Sequence, residues 1–406
     1  MVGLAELLEA NGFLVIDGAM GTELFAAGLT AGDPPELWNL DHPDRIRAIH
    51  QAYVDAGSDI VLTNSFGGNR HRLKLHSLEG RVPELNAAAA SIGREVADAA
   101  DRPVLVAGSM GPTGELIEPL GALTAAEAQE AFAEQAAGLS DGGADILWLE
   151  TMSALPEVEA GVLGARSTSG LPIVVTLSFD TAGRTMMGIT GEDAGALLAE
   201  LGVDGIGANC GANLADTEAA VVAIHSACGD IPVVSKANAG IPVWKGAELE
   251  YDATPEILSA HAHRLREAGV SIIGACCGST PDHIAMIRTV LDGGHPVPNI
   301  APPVDATGVS IDLPAITIPF SIPLDQDRVT TTNFSLLHEG TVVALRAGDP
   351  IELERGSGIY TLAPEAGWAV GSAYSVLIAP GVTGPLGNES PISWKFETAI
   401  PSITSI

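Results

Sequence analysis

Three of the four cysteines in this chain close two short glycine-flanked apolar runs, Gly207-Ala208-Asn209-Cys210-Gly211 and Gly274-Ala275-Cys276-Cys277-Gly278. If both runs are strands of one parallel barrel, their C-terminal ends share a face. Three thiolates then converge on one metal ion and leave a fourth position open, which is the donor set of a catalytic zinc site. A free thiol is only slightly ionised at neutral pH, but a substrate thiol entering that open position loses its proton and becomes a nucleophile. Adjacent residues on a regular strand point to opposite faces, so the second run must turn or end at Cys276-Cys277, and Gly278 permits this. Cys228 falls inside a helical segment and reads as a small buried hydrophobe.

The elements that would position these residues follow from periodicity. From residue 13 to about 294, short apolar runs alternate with longer alanine-rich helical segments, the βαβα pattern of a parallel sheet. The strand candidates are Phe13-Asp17, Asp59-Phe66, Pro103-Met110, Asp145-Met152, Pro172-Asp180, Gly205-Cys210, Pro232-Asn238 and Ser271-Cys277. Eight such units predict a (β/α)8 TIM barrel over residues 1–294. Helix punctuation agrees: Thr124-Ala-Ala-Glu127 has the form of a capping box, and Pro255 suits a first helical turn. Strand ends carry Asp17, Asn64, Glu150, Asp180, Cys210, Asn238 and Cys276, as on the functional face of a barrel. Residues 295–310 are proline-rich and read as a linker. Beyond them, Ala315-Ile322, Gly340-Leu345, Ile359-Leu362, Ala373-Ala379 and Ile392-Thr398 alternate apolar and polar residues between turn signals, predicting a small all-β sandwich over 311–406.

Composition removes several function classes. The formal net charge is −32 and there are only four lysines, so a nucleic-acid or anionic-membrane surface, each needing a basic footprint, is not expected. Mean hydropathy is +0.28, yet no apolar run approaches the roughly 20 residues of a spanning helix. Glu6, Glu9 and Asp17 interrupt the N-terminal apolar residues, unlike an export signal. Four cysteines do not make a disulfide framework in so long a chain, and the expectation is reduced thiols in a cytoplasm.

Several segments together resemble one family: Asp17-Gly-Ala-Met-Gly-Thr22, Glu36-Leu-Trp-Asn39, Thr63-Asn-Ser-Phe66, Gly108-Ser-Met-Gly-Pro112, Glu150-Thr-Met152 and the two cysteine runs. Residues of about 5–294 resemble the homocysteine S-methyltransferases, most of all the short bacterial betaine–homocysteine methyltransferases. The resemblance implies a zinc-dependent barrel that methylates homocysteine to methionine, with Cys210, Cys276 and Cys277 on Zn2+ and dimethylglycine as the product left by betaine. S-methylmethionine, another sulfonium or a corrinoid are alternative donors; corrinoid chemistry would require separate partner chains. Residues 317–398 resemble bacterial Ig-like domains of surface-layer and adhesin proteins, which raises a second possibility of surface or partner binding, or of self-association through that domain.

Homocysteine carries an ammonium and a carboxylate that must be fixed if its sulfur is to be aimed. Asp17 and Glu150 offer acceptors for the ammonium, and the resemblance implies the same two, with the backbone of Gly18 and Ala19 near the substrate. Asn64, Asn209 and Asn238 are expected to order the site by hydrogen bonds. A quaternary ammonium donor is held by aromatic faces. Among Phe25, Trp38, Phe66, Trp148, Phe179 and Trp244, Trp38 is the preferred donor-site residue. Some family members have a tyrosine directly after the strand-four glutamate; this chain has Thr151.

Overall fold

Short parallel strands, buried on both faces, build the first part of the molecule. The computed structural model describes residues 2–180, 183–240, 242–245, 248–251, 253–293, 306–309, 315–319, 330–331, 333–346, 349–352, 359–369, 372–379 and 392–398. Strands β1 (Leu14–Val15), β2 (Ile60–Leu62), β3 (Leu105–Met110), β4 (Ile146–Met152), β5 (Ile173–Leu177), β6 (Gly205–Cys210) and β7 (Val233–Ala237) are followed by a hairpin of β8 (Pro242–Lys245) and β9 (Glu248–Tyr251), and then by β10 (Ile272–Ala275). Eight of them form one parallel sheet in the order β1-β10-β7-β6-β5-β4-β3-β2. A bridge between Ile16 and Ile60, with Asp59 N donating to Val15 O and Asp17 N to Ile60 O, joins the two ends. The sheet is thus a closed (β/α)8 barrel, as the alternating pattern predicts.

The period of two sorts each strand between two cores. Leu14, Ile16, Ile60, Leu62, Leu105, Ile146, Trp148, Val174, Val234 and Ile272 share the barrel interior, and Leu4 and Leu7 of the helix Leu4–Asn11 join that cluster. The intervening Val15, Val61, Val106, Leu147, Val175 and Ile273 belong to the larger cluster formed with the surrounding helices. The helices start where the sequence marks them: Thr124 Oγ1 accepts from Glu127 N at 3.2 Å in a capping box, and Pro255 opens a helix behind the cap Thr254. Among the described residues no helix is long and apolar enough to cross a membrane.

The chain divides into two compact units, Met1–Leu291 and Asp292–Ile406. The second contains β11 (Ala306–Val309), β12 (Ile316–Pro319), β13 (Phe334–His338), β14 (Thr341–Val343), β15 (Ile351–Glu352), β16 (Ile359–Leu362), β17 (Ala373–Ile378) and β18 (Ile392–Thr398). They form a five-stranded sheet, β11-β18-β17-β13-β14, and a three-stranded sheet, β12-β16-β15. All pairings are antiparallel except β11 with β18. Ile316, Tyr360 and Leu362 from the smaller sheet share a core with Phe334, Leu336, Tyr374, Val376 and Ile378 from the larger. Of the stretch read as a linker, Ala306–Val309 is strand, while 295–305 and 310 lie outside the described residues.

Candidate metal and substrate site

Two backbone turns bring the three cysteines together. Strand β6 ends at Cys210 with φ +58°, and Gly211 continues the turn at φ +87°. A non-glycine residue in the left-handed region costs on the order of 1–3 kcal/mol, so the surrounding structure must hold it. Cys276 N still donates to Ala237 O at 2.7 Å, whereas Gly278 at φ +79° turns the chain and allows both neighbours of the Cys276-Cys277 pair to face one point. The three Sγ atoms lie within 4.8 Å of one another, with Cys210 and Cys276 at 3.1 Å. Cys228 is buried elsewhere, its Sγ near backbone carbonyls of its own turn.

Asn209 braces this cluster. Its Oδ1 accepts from Thr151 N at 2.8 Å, and its Nδ2 donates to Thr151 Oγ1 at 2.7 Å while lying 3.6 Å from Cys210 Sγ. Hydrogen bonds with Cys276 and Cys277 push the Cys210 thiol up, and the same contacts pull Cys277 below the ordinary thiol range. Three soft, convergent sulfurs at a cavity wall fit a zinc ion with one position left for substrate. Asn238, between the β7 end and Ala239, donates to Gly211 O at 3.0 Å, while its buried Oδ1 has no hydrogen-bond partner among the described residues.

Beside the sulfurs lies a buried charge layer. Lys236 and Asp17 are 3% and 2% exposed and pair at 2.9 Å. Gly274, on the strand between theirs, carries no side chain to part them, and a Cβ there would come within 2.2 Å of Ile16 O. Burial alone would discharge Lys236, but Asp17, Glu150 and Cys276 together hold its pKa above the ordinary value. Asp17 Oδ2 also accepts from Leu62 N at 2.7 Å, so both carboxylate oxygens are engaged. Glu150, at the end of β4, accepts from Ser109 Oγ, and burial pushes its pKa up to about 7.

These residues open into a cavity of about 450 Å³ whose lining includes Gly18, Ala19, Asn64, Glu150, Lys236 and the three cysteines. That volume is in the span of small-molecule sites. Ala19 N donates to Ser279 Oγ at 3.1 Å and Tyr53 Oη to Ala19 O at 2.8 Å, which fixes the Gly18-Ala19 turn next to the second cysteine run. Asn64 donates to Pro35 O at 2.8 Å and to Asn39 Oδ1 at 3.1 Å, so its amide orders the loop after β1. Asp17 lies behind the cavity wall, not in its lining.

Trp38 is not brought to the cavity. It is 7% exposed, packed edge-on against His42 at 4.8 Å and under the Arg45 guanidinium at 5.0 Å. Trp148 and Phe179 are core residues, Phe25 is exposed, and the side chain of Trp244 lies outside the described residues. Phe66 does line the cavity. Sequence reasoning missed Lys236, although a lysine inside the apolar run Val233-Val234-Ser235-Lys236-Ala237 is itself a signal of a buried partner. It also missed Tyr251, whose ring packs on Gly278 and whose pKa rises to about 12 through burial and the neighbouring Cys277.

Comparison with known proteins places this geometry in a lineage. The chain is 37% identical over 303 residues to methionine synthase of Mycobacterium leprae and 36% identical over 293 residues to that of Mycobacterium tuberculosis. Those alignments cover 70% and 68% of this chain but 25% and 24% of the relatives, so the chain spans about a quarter of their length. Among solved structures it is similar to the homocysteine methyltransferase MmuM from Escherichia coli. The oxidized form superposes with a TM-score of 0.61 at 26% identity, covering 71% of this chain and 99% of that one; the metallated form gives 0.60. Residues 14–291, essentially the whole barrel, match the family described as homocysteine S-methyltransferase, and the chain belongs to that family.

Proposed function

We propose that the barrel transfers a methyl group to the sulfur of homocysteine, giving methionine, with Zn2+ held by Cys210, Cys276 and Cys277. The observation that carries this reading is the convergence of three sulfurs within 4.8 Å on the wall of a cavity that also contains Glu150. Zinc, when bound, would supply the lowered thiol pKa that makes the substrate sulfur a thiolate at neutral pH. Glu150 receives the substrate ammonium, while Lys236 keeps Asp17 engaged and compensates the negative charge collected around the cluster. Asn209 holds Cys210 and Cys276 in register, and the Gly18-Ala19 backbone borders the amino-acid end. Such thiols remain available only when reduced, which favours a cytoplasmic setting.

The donor in this reading is a small onium compound, betaine first and S-methylmethionine next, because the cavity has room beyond the amino acid and Phe66 offers an aromatic face. A corrinoid donor is the second reading, favoured by the relatives named methionine synthase. The C-terminal sandwich, read as Ig-like, serves contacts with itself or another protein.

The test is zinc quantification together with turnover of homocysteine against a donor panel. One zinc per chain and methionine formation are expected, both lost in Cys277→Ala and retained in Cys228→Ala. A fully active Cys277→Ala protein with unchanged zinc would sink the three-thiolate site.

A further inference from the structure

The cavity changes character from floor to mouth. Ser109, Glu150 and Lys236 are buried, whereas Phe66, Arg72, Leu75 and His76 in its lining are exposed. The exposed four come from one stretch after β2, and that stretch is pinned. Asn69 is fully buried; its Oδ1 accepts from His71 N and Arg72 N at 3.1 Å each, and its Nδ2 reaches Gly111 O and Pro112 O at 3.4 Å. Leu73, 1% exposed, anchors the same turn in a cluster with Val82 and Leu85. With Leu73 held inside, Arg72, Leu75 and His76 are left at the opening. Phe66 is fixed too, since its ring lies where a Cβ on Gly111 would be, 2.6 Å from Cε2.

Arg72 is unusual in this molecule. Arg70, two residues earlier, pairs with Glu134 at 2.9 Å. Among the described residues the Arg72 guanidinium has no hydrogen bond or ion pair, in a chain that carries 51 acidic residues against 19 lysines and arginines. The buried Glu36 carboxyl in the same lining feels both Arg72 and His76 but is bonded to Gly67 N at 2.7 Å and not to the guanidinium. Two cationic side chains against one carboxyl, with the guanidinium unbonded at the mouth of the cavity, form an electrostatic guide for an anion. The guanidinium presents a planar fork that matches a carboxylate.

Resting on the methyltransferase reading above, we propose that Arg72 and His76 form the carboxylate subsite of the methyl donor, which is therefore a zwitterion with its onium methyl group directed past Phe66 toward the cysteine cluster. In the transfer, the homocysteine thiolate forms the new S–CH3 bond as the bond from that methyl to the donor's N+ or S+ breaks. The bonding pair leaves on the heteroatom, so the product is a neutral amine or thioether that keeps its carboxylate. The thiol proton has already gone to solvent, and no oxidant or reductant is needed. Arg72 does not touch the reacting atoms; it is a positioning residue.

The experiment compares betaine and S-methylmethionine with their methyl esters, which keep the onium charge and lose the carboxylate, on the zinc-loaded full chain and on its Arg72→Gln, Arg72→Lys and His76→Gln variants, with homocysteine affinity measured separately by calorimetry without donor. Loss of a charged hydrogen-bond pair should raise donor KM about ten- to hundredfold in Arg72→Gln. Expected with it are a kcat within about twofold, partial rescue by Arg72→Lys, a smaller KM rise in His76→Gln, and unchanged homocysteine affinity. The esters should be poor donors for the parent protein and lose nothing further in Arg72→Gln. Esters as effective as the free acids, or an unchanged donor KM in Arg72→Gln, would overturn the subsite. A loss of homocysteine affinity instead would assign the cation to the wrong carboxylate. A parent protein that binds homocysteine but accepts methyl only from methylcobalamin also overturns the proposal, whereas one that fails to bind homocysteine overturns the methyltransferase reading beneath it.

Discussion

Glu150 is a carboxyl placed among sulfurs, a buried lysine and a serine hydroxyl, and its surroundings make it a titrating group near neutrality. Burial raises its pKa from 4.5 to about 7, with Lys236 and Ser109 opposing the shift. A raised folded-state pKa means that the folded chain prefers the protonated form. The stabilisation is fully present below the unfolded value of 4.5 and is lost as pH rises through about 7. The size is on the order of 3 kcal/mol at 1.36 kcal/mol per unit. Metal-free protein should therefore lose stability to urea between pH 5 and 8 by about that amount, and Glu150→Gln should lack this component. Parallel pH profiles for the two proteins would contradict the assignment. An arriving ammonium favours the charged carboxyl, so homocysteine affinity should strengthen over the same range. At this scale the cysteines were readable because glycine flanked them at strand ends. Lys236 and Tyr251 were not, since a partner two strands away and a ring supplied by a hairpin leave no local spacing to read.

Elements place these groups through their ends. The eight barrel strands were legible from period and repetition, and their observed cores are narrower than the apolar runs because the polar tips leave the ladder: Asp17, Asn64 and Asn238 all lie beyond their strands. The β8–β9 hairpin was not foreseen. It sits in the segment joining β7 to the helix Pro255–Glu267, and it brings Tyr251 over the second cysteine turn. Gly278 is the joint between hairpin and turn. A Cβ there would lie 2.1 Å from Tyr251 Cγ, and the backbone is at φ +79°. Gly278→Ala should thus lower stability by about 1–3 kcal/mol and weaken zinc retention, because the ring and the turn cannot both keep their positions. Adding Tyr251→Ala should recover the steric part but not the backbone part. Chemical denaturation with zinc content measured in parallel checks both; a single Gly278→Ala protein with parental stability and metal would show that the turn is slack.

The whole molecule consists of two units that differ in what their sequences reveal. The barrel repeats one pattern eight times and concentrates titratable groups at one end, so its fold and the cysteine cluster of its candidate site were open to reading. The second unit shows alternation but no convergence of chemical groups among its described residues, and its sheets could be expected where its role could not. The β1–β2 bridge closes the barrel with residues all before position 61, and the match to the methyltransferase family ends at residue 291, the last residue of the first unit. Every residue lining the described cavity also lies within that unit. A chain ending at residue 294 should accordingly fold, retain one zinc and keep kcat within about twofold of the full chain. Equilibrium unfolding, zinc content and turnover of the shortened chain are the measurements. Activity that disappears on truncation and returns when residues 295–406 are supplied as a separate chain would instead mean that the sandwich completes the catalytic unit.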